Sequence, residues 1–239
     1  SVSTGQAPID SGSPHVVLRV LRATPHGFDV SVASSWGSGD FNLPLHGEFN
    51  VGNAALVLAV LLSEGVALDA ASAVLAEAEA PPGRLQRVEA ASGPAVFVDY
   101  AHTPDAVESV LRALRQHCGG KLWCVFGCGG DRDKGKRPLM GRAVEDNADR
   151  IVVTNDNPRS EDPGQIIAAI LDGMGNRAAA TVIEDRAAAI GWAISSAAAE
   201  DVVLLAGKGH ESTQTIGDRR LPFVDQQVIR DEAGRVPCR

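Results

Sequence analysis

Two textures of hydrophobic patterning divide the chain. Between residues 15 and 46, apolar and polar positions alternate over 15–23, 27–34 and 41–45, separated by the turn-forming stretches ATPHG and SWGSGD. That period of two predicts strands with one buried face. From Asn50 the period lengthens: apolar residues recur at helical spacing through Leu62 and again over 68–78, which predicts two helices. EAPPGR, residues 79–84, breaks the pattern with two prolines and a glycine. It is the expected hinge and domain boundary, with 1–83 on one side and 84–239 on the other.

Beyond the boundary, short β-branched runs alternate with helical segments. Strands are expected at 96–100, 122–127, 151–155, 181–184 and 202–206, and helices at 105–116, 137–147, 163–174 and 186–199. Such alternation implies right-handed crossovers and a mostly parallel sheet covered on both faces, an α/β fold. The tail turns at IGDRRLPF, and a short helix is expected to end it.

In an open α/β sheet, ligands bind beyond the carboxyl ends of the strands, so the residues after each strand are the informative ones. Four of the five strand ends carry Gly, charge or His: VDYAHTPD (98–105), GCGGDRDKGKRP (127–138), TNDNPRSEDP (154–163) and AGKGHE (206–211). The remaining one, IEDR, is bland. In the second loop, glycines permit close backbone approach while Arg132, Lys134, Lys136 and Arg137 offer cationic donors. In the third, Pro158 restricts Asn157. Asn157 offers both a donor and an acceptor, Arg159 can clamp a carboxylate with two bonds, and Asp156 can meet an ammonium or orient Arg159. SEDP reads equally as a turn and helix N-cap, which leaves Arg159 free. GKGHE lacks the Walker A spacing; Gly207 and Gly209 give backbone access and Glu211 suits a cationic group. Asp99 stands at a strand end, and His102 serves a structural hydrogen bond as readily as a functional one.

Composition narrows the partners. A net charge of −8 argues against nucleic acid, which requires a basic surface. The longest apolar stretch, 54–62, falls far short of the roughly 20 residues a spanning helix needs, and the first residues lack the basic and apolar regions of a signal peptide. The four cysteines, Cys118, Cys124, Cys128 and Cys238, form no CxxC pair and read as core or loop thiols in a reducing, cytoplasmic setting. A monomer is expected.

GEFNVGNAALVLAV, GRLQRVE, VFVDYAHTPDAVESVL, VFGCGGDRDKGKRPLMG, TNDNPRSEDP and LLAGKGHE occur in this order in the Mur ligases. The chain resembles that family from about His15 to Asp231, most closely the branch that adds meso-diaminopimelate. The resemblance implies a Rossmann-like C-terminal domain preceded by the β-rich and helical end of a central P-loop ATPase domain. It also implies an ATP- and Mg²⁺-dependent amide ligase of peptidoglycan synthesis. In such a ligase the carboxylate of UDP-MurNAc-L-Ala-D-Glu becomes an acyl phosphate, which the incoming amino group attacks.

By the same resemblance, Arg132, Asp156, Asn157, Pro158, Arg159, Gly207 and Glu211 are the expected diaminopimelate site. Asn50, Asn53, Arg84 and Asp99 are the expected ATP contacts, and His102 and Lys134 are candidates for catalysis or phosphate binding; no metal ligand is expected here. A complete ligase of this kind also carries a uridine-nucleotide domain and a P-loop. Neither motif precedes Ser1, so the chain alone is expected to be inactive in ligation. The alternatives are a non-catalytic amino-acid-binding module or another ligase of the superfamily, such as folylpolyglutamate synthase.

Overall fold

The computed structural model describes residues 2–3, 13–89 and 93–233; Cys238 lies outside the described residues. The chain divides into two compact units, Ser1–Glu79 and Ala80–Arg239.

The first unit carries strands β1 (Val2–Ser3), β2 (Val16–Thr24), β3 (Gly27–Ser34) and β4 (Gly37–Leu43), side by side in that order. β1 runs parallel to β2, and the other pairs are antiparallel. Alternation along β3 turns Phe28, Val30 and Val32 inward against helices α1 (Glu48–Ser63) and α2 (Leu68–Ala76), which contribute Val51, Ala54, Leu58, Leu62, Ala71 and Leu75 to one core. β4 begins four residues before the strand expected at 41–45. The exposed stretch 37–40 pairs with β3 through its backbone, which leaves no hydrophobic trace. Pro44 follows the strand and has no N–H to extend the ladder.

The second unit is built on a sheet of β5 (Gln86–Val88), β6 (Ala95–Asp99), β7 (Leu122–Phe126), β8 (Arg150–Val153), β9 (Ala180–Val182) and β10 (Val202–Ala206). Their spatial order is β5-β6-β10-β7-β8-β9, parallel throughout except for the β5–β6 pair. Helices α3 (Pro104–Arg115), α4 (Lys136–Asn147) and α5 (Pro163–Leu171) cover one face. Helices α6 (Arg186–Ser196) and α7 (Asp225–Ala233) cover the other. Strand residues of opposite parity feed the two cores: Leu122, Cys124 and Phe126 face α3–α5, while Trp123 and Val125 face α6.

Helix starts follow their sequence signals. Thr103, Asp162 and Asp185 accept the N-cap bonds of α3, α5 and α6, and Pro104 and Pro163 open the first two. Two helix ends fall short of the expected 174 and 199. After Leu171 the chain closes i→i+3 turns, Gly173 N to Ile170 O and Met174 N to Leu171 O. After Ser196, Asp201 draws the chain away by accepting from Ala198 N, Lys121 N and Trp123 Nε1. A hairpin, β11 (Thr213–Ile216) and β12 (Arg219–Pro222), occupies the expected tail turn.

β10, the last strand of this sheet in sequence, lies between the two earlier strands β6 and β7. The chain leaving β7 goes to α4 on one face and the chain leaving β10 reaches α7 on the other. Such divergence opens a crevice at the carboxyl ends of these strands. Among the described residues no helix is long and apolar enough to cross a membrane.

Candidate functional site

The loops after β6, β7, β8 and β10 converge on a cavity of about 200 Å³ at that crevice. Arg132, Asp156, Asn157, Arg159, Gly207 and Glu211 line it, joined by Tyr100, His102 and Lys136. Residues as far apart in sequence as Tyr100 and Glu211 thus meet because four strands end at the same level. Pro158 is absent from the lining: its carbonyl faces the backbone of Gly130, where it packs two loops together.

Arg159 is held in place by its backbone. It adopts φ of 53°, a left-handed conformation that a side chain disfavours. The hairpin clamps it there: Arg159 N donates to Thr215 O at 3.0 Å, and Gly217 N donates to Arg159 O at 2.7 Å. The guanidinium donates to the carbonyls of Gly130 at 2.7 Å and Asn157 at 3.5 Å, and it forms no ion pair with a carboxylate among the described residues. Asp131, with φ of 52°, shows the same left-handed strain and accepts from Ser160 N and Oγ. Those bonds lower its pKa.

The acidic wall is organised by Asn157. Its Nδ2 donates to Asp156 Oδ1 at 3.1 Å and to Glu211 Oε2 at 2.8 Å. Its Oδ1 accepts from Thr215 N at 2.9 Å and Lys208 Nζ at 3.3 Å. Two donors and two acceptors complete an amide's capacity, so Asn157 is saturated within the protein. The sequence suggested a residue offering those bonds to a ligand; the structure gives them to neighbours. Asp156 likewise meets Asn157 rather than orienting Arg159. Its backbone carbonyl accepts from Gln214 Nε2 at 2.7 Å.

The four candidate cations of the 127–138 loop separate. Arg132 and Lys136 reach the cavity, Lys136 also donating to His102 O at 3.0 Å. Arg137 is 2% exposed and forks onto Glu161, Nη1 to Oε2 at 3.0 Å and Nη2 to Oε1 at 2.8 Å. Lys134 joins the same carboxylate at 3.2 Å. Arg137 and Lys134 therefore fasten the loop, since both point to an acid that does not line the cavity. The Arg137 hydrogen bonds and the Asp131 amide hold the Glu161 carboxyl down to about 2.

The cavity lining includes none of the expected nucleotide contacts. Asn50 and Asn53 sit on α1, where Asn50 Nδ2 donates to His46 O and Asn53 Nδ2 to Asn50 Oδ1. Arg84 stacks its guanidinium 4.9 Å from the Tyr100 ring centroid. Asp99, 7% exposed, accepts from Leu85 N at 2.6 Å and Ala101 N at 2.7 Å; burial raises its pKa against those bonds. His102 Nδ1 is 2.9 Å from Tyr100 O, and its ring packs edge-on to Tyr100 at 4.7 Å. Among the described residues no three His, Cys, Asp or Glu gather closely enough to hold a metal ion.

Three residues that carry the site gave no functional signal in the sequence. Lys208, fully buried, lies beneath Asn157 and Glu211. Arg186 and Asp225 form a fully buried pair whose guanidinium also donates to Ala206 O at 3.2 Å, directly before Gly207. Burial opposes the Arg186 charge, but Asp225 outweighs it and raises the pKa.

The crevice of this Rossmann-like unit is thus lined by residues of both charge signs, Arg132, Lys136 and Arg159 with Asp156 and Glu211. The chain belongs to the Mur ligase family: the domain described as "Mur ligase, glutamate ligase domain" matches residues 83–209. It is 50% identical over 215 residues to the UDP-N-acetylmuramoyl-L-alanyl-D-glutamate–2,6-diaminopimelate ligase of Coxiella burnetii (strain RSA 493 / Nine Mile phase I). That alignment takes in 90% of this chain and 44% of the relative, so the chain spans less than half of that protein's length. A solved structure of a ligase with the same name superposes with a TM-score of 0.76 at 38% identity, covering 95% of this chain and 46% of the other. Mycobacterium tuberculosis folylpolyglutamate synthase complexed with ADP and AMPPCP superposes at 0.59 with 26% identity, over 91% of this chain and 47% of that one.

Proposed function

We propose that this chain supplies the amino-acid site of an ATP-dependent ligase that adds meso-diaminopimelate to UDP-MurNAc-L-Ala-D-Glu in peptidoglycan precursor synthesis. The observation that carries this reading is the mixed charge of the cavity lining. Arg132 and Arg159 line it without a carboxylate ion-pair partner among the described residues, and Asp156 and Glu211 line it bridged by the Asn157 amide. Diaminopimelate differs from lysine by a carboxylate beside its distal ammonium, and a guanidinium in the pocket rewards that difference. The guanidinium of Arg159 suits the carboxylate, and the acid pair suits the ammonium.

The rest of the reaction explains the family's need for ATP and magnesium. A carboxylate is a poor electrophile, and phosphorylation converts it to an acyl phosphate that an amine can attack. In this reading residues 1–83 belong to the C-terminal portion of the ATP-binding domain, with Asn50 and Asn53 near the nucleotide, and residues 84–239 form the amino-acid domain, with Arg84 and Asp99 on its nucleotide side. Supporting the nucleotide assignment is the resemblance to a synthase solved with ADP and AMPPCP. The setting is cytoplasmic and monomeric, without nucleic acid or membrane, in keeping with the acidic net charge and the free thiols Cys118, Cys124 and Cys128. Calorimetric titration of the chain with meso-diaminopimelate and with lysine tests the site. At least tenfold tighter binding of diaminopimelate is expected, and equal affinities would remove the basis of the assignment.

A further inference from the structure

We infer that Lys208 is a positioning residue: its buried ammonium fixes the orientation of the Asn157 amide and thereby aims the Asp156 and Glu211 carboxylates at the ligand. This rests on the proposed amino-acid site, which it deepens by naming what sets its acidic wall.

The backbone directs Lys208 inward. Gly207 and Gly209 on either side adopt φ of 111° and 55°, conformations open to glycine, and both are packed. A Cβ on Gly207 would stand 2.9 Å from Asp156 Oδ2, and one on Gly209 would stand 2.7 Å from the Tyr100 Cβ. The lysine between them is fully buried and spends all three donors, on Thr213 O at 2.8 Å, Glu211 Oε2 at 3.2 Å and Asn157 Oδ1 at 3.3 Å. A buried ammonium persists only with such partners.

The consequence lies in the amide. An Asn side chain has two orientations of similar shape, and its neighbours decide between them. Turned over, Asn157 would present NH₂ to the Lys208 ammonium and the Thr215 N–H, and its oxygen to two carboxylates; all four contacts would be repulsive. Lys208 is the charged member of the pair that enforces the observed orientation. With Nδ2 engaging Asp156 Oδ1 and Glu211 Oε2, the other oxygen of each carboxylate is left to meet a cation. Asn157 and Lys208 thus act through the acids rather than on the ligand.

Charge alone predicts the opposite of positioning. Removing a buried cation beside Glu211 and Asp156 makes the wall more negative, which favours an ammonium ligand. If orientation governs, affinity falls.

The test uses the whole chain. In ¹⁵N-labelled protein without ligand, the Asn157 Nδ2 protons are expected to exchange with solvent far more slowly than those of an exposed asparagine. Exchange at the exposed rate in the unsubstituted protein overturns the inference even if no variant folds. Lys208→Met, close in shape, is expected to speed that exchange and to weaken meso-diaminopimelate binding at least tenfold. Unchanged or tighter binding overturns it. In an Asn157→Leu background the same substitution is expected to change affinity less than threefold; a further tenfold loss shows that Lys208 does not act through Asn157. If the unsubstituted chain shows the protected amide and its loss in Lys208→Met yet binds no diaminopimelate, the ligand assignment fails and the positioning role stands.

Discussion

The ion pair of Arg186 and Asp225 offers a sharp test of how the crevice floor is built. Both side chains are fully buried. Arg186 forks onto Asp225 with Nε–Oδ1 at 2.8 Å and Nη2–Oδ2 at 2.7 Å, and Nη2 also donates to Ala206 O at 3.2 Å. One guanidinium thus ties α6, α7 and the end of β10 together, immediately before the GKGHE loop. Arg186→Met keeps the volume but strands the Asp225 carboxylate out of water, and removing one member of a buried pair costs about 3–5 kcal/mol. At about 2–4 °C per kcal/mol for a domain of this size, the melting transition of the second unit should fall by roughly 6–20 °C. Removing both charges behaves differently, because an apolar replacement of a buried pair is often neutral or better. Arg186→Met with Asp225→Leu should recover most of the loss, short of about 1–3 kcal/mol for the abandoned Ala206 carbonyl. Urea unfolding followed by circular dichroism gives both values. A single substitution costing under about 1 kcal/mol, or a double variant no better than the single, would refute the argument.

Other substitutions probe the cleft and its scaffold. Arg159→Ala should weaken meso-diaminopimelate binding by about 10- to 150-fold, the loss of one charge-assisted bond of about 1.5–3 kcal/mol. Lysine binding should change much less, and calorimetry distinguishes a clamp from a residue that only shapes the loop, which would affect both ligands equally. Glu161 has a folded pKa of about 2 against an ordinary 4.5, so its stabilising effect is complete above 4.5 and is lost as pH falls toward 2. The urea midpoint of the unsubstituted protein should therefore drop more steeply from pH 4.5 to pH 2 than that of Glu161→Gln; parallel slopes would contradict the Arg137 pairing. Gly130→Ala places a methyl group against the Pro158 backbone and within 3.3 Å of the Glu161 Cβ. Separating the two loops should lower diaminopimelate affinity at least tenfold while the circular dichroism spectrum stays native.

The legibility of the fold followed burial. β6, β7, β8 and β10 are apolar runs because both faces of a parallel strand are covered, and each was visible within about two residues. β5, β11 and β12 were not visible as strands. Gln86–Val88 is a three-residue edge, and Arg219–Pro222 is exposed at every position. Pairing of that kind is carried by backbone hydrogen bonds, which any residue can make. The helix starts were legible because Thr103, Asp162 and Asp185 cap with their own side chains. The helix ends were less so, because the residue that turns the chain after Ser196 is Asp201, held by partners nearly 80 positions away in β7 and its approach.

The site was legible as a set of loops and much less so as a set of roles. Rows of Gly, Arg, Asp and Glu after successive strands must converge, since parallel strands end on one side. Which charge faces the ligand depends on contacts that no local pattern encodes. Lys136 and Arg137 are adjacent cations at the start of α4, yet one reaches the cavity and the other is buried against Glu161, 24 positions away. The same holds for Lys208. Its flanking glycines suggested close backbone access for a ligand, a role in which the lysine is incidental. The structure reverses the emphasis, because two left-handed glycines are what turn a lysine into the protein rather than out of it. A buried lysine that completes a saturated amide can contribute to selectivity without touching the ligand. Such a residue is found only by following each hydrogen-bonding atom to its partner, and it will be missed wherever site residues are chosen by proximity to the cavity alone.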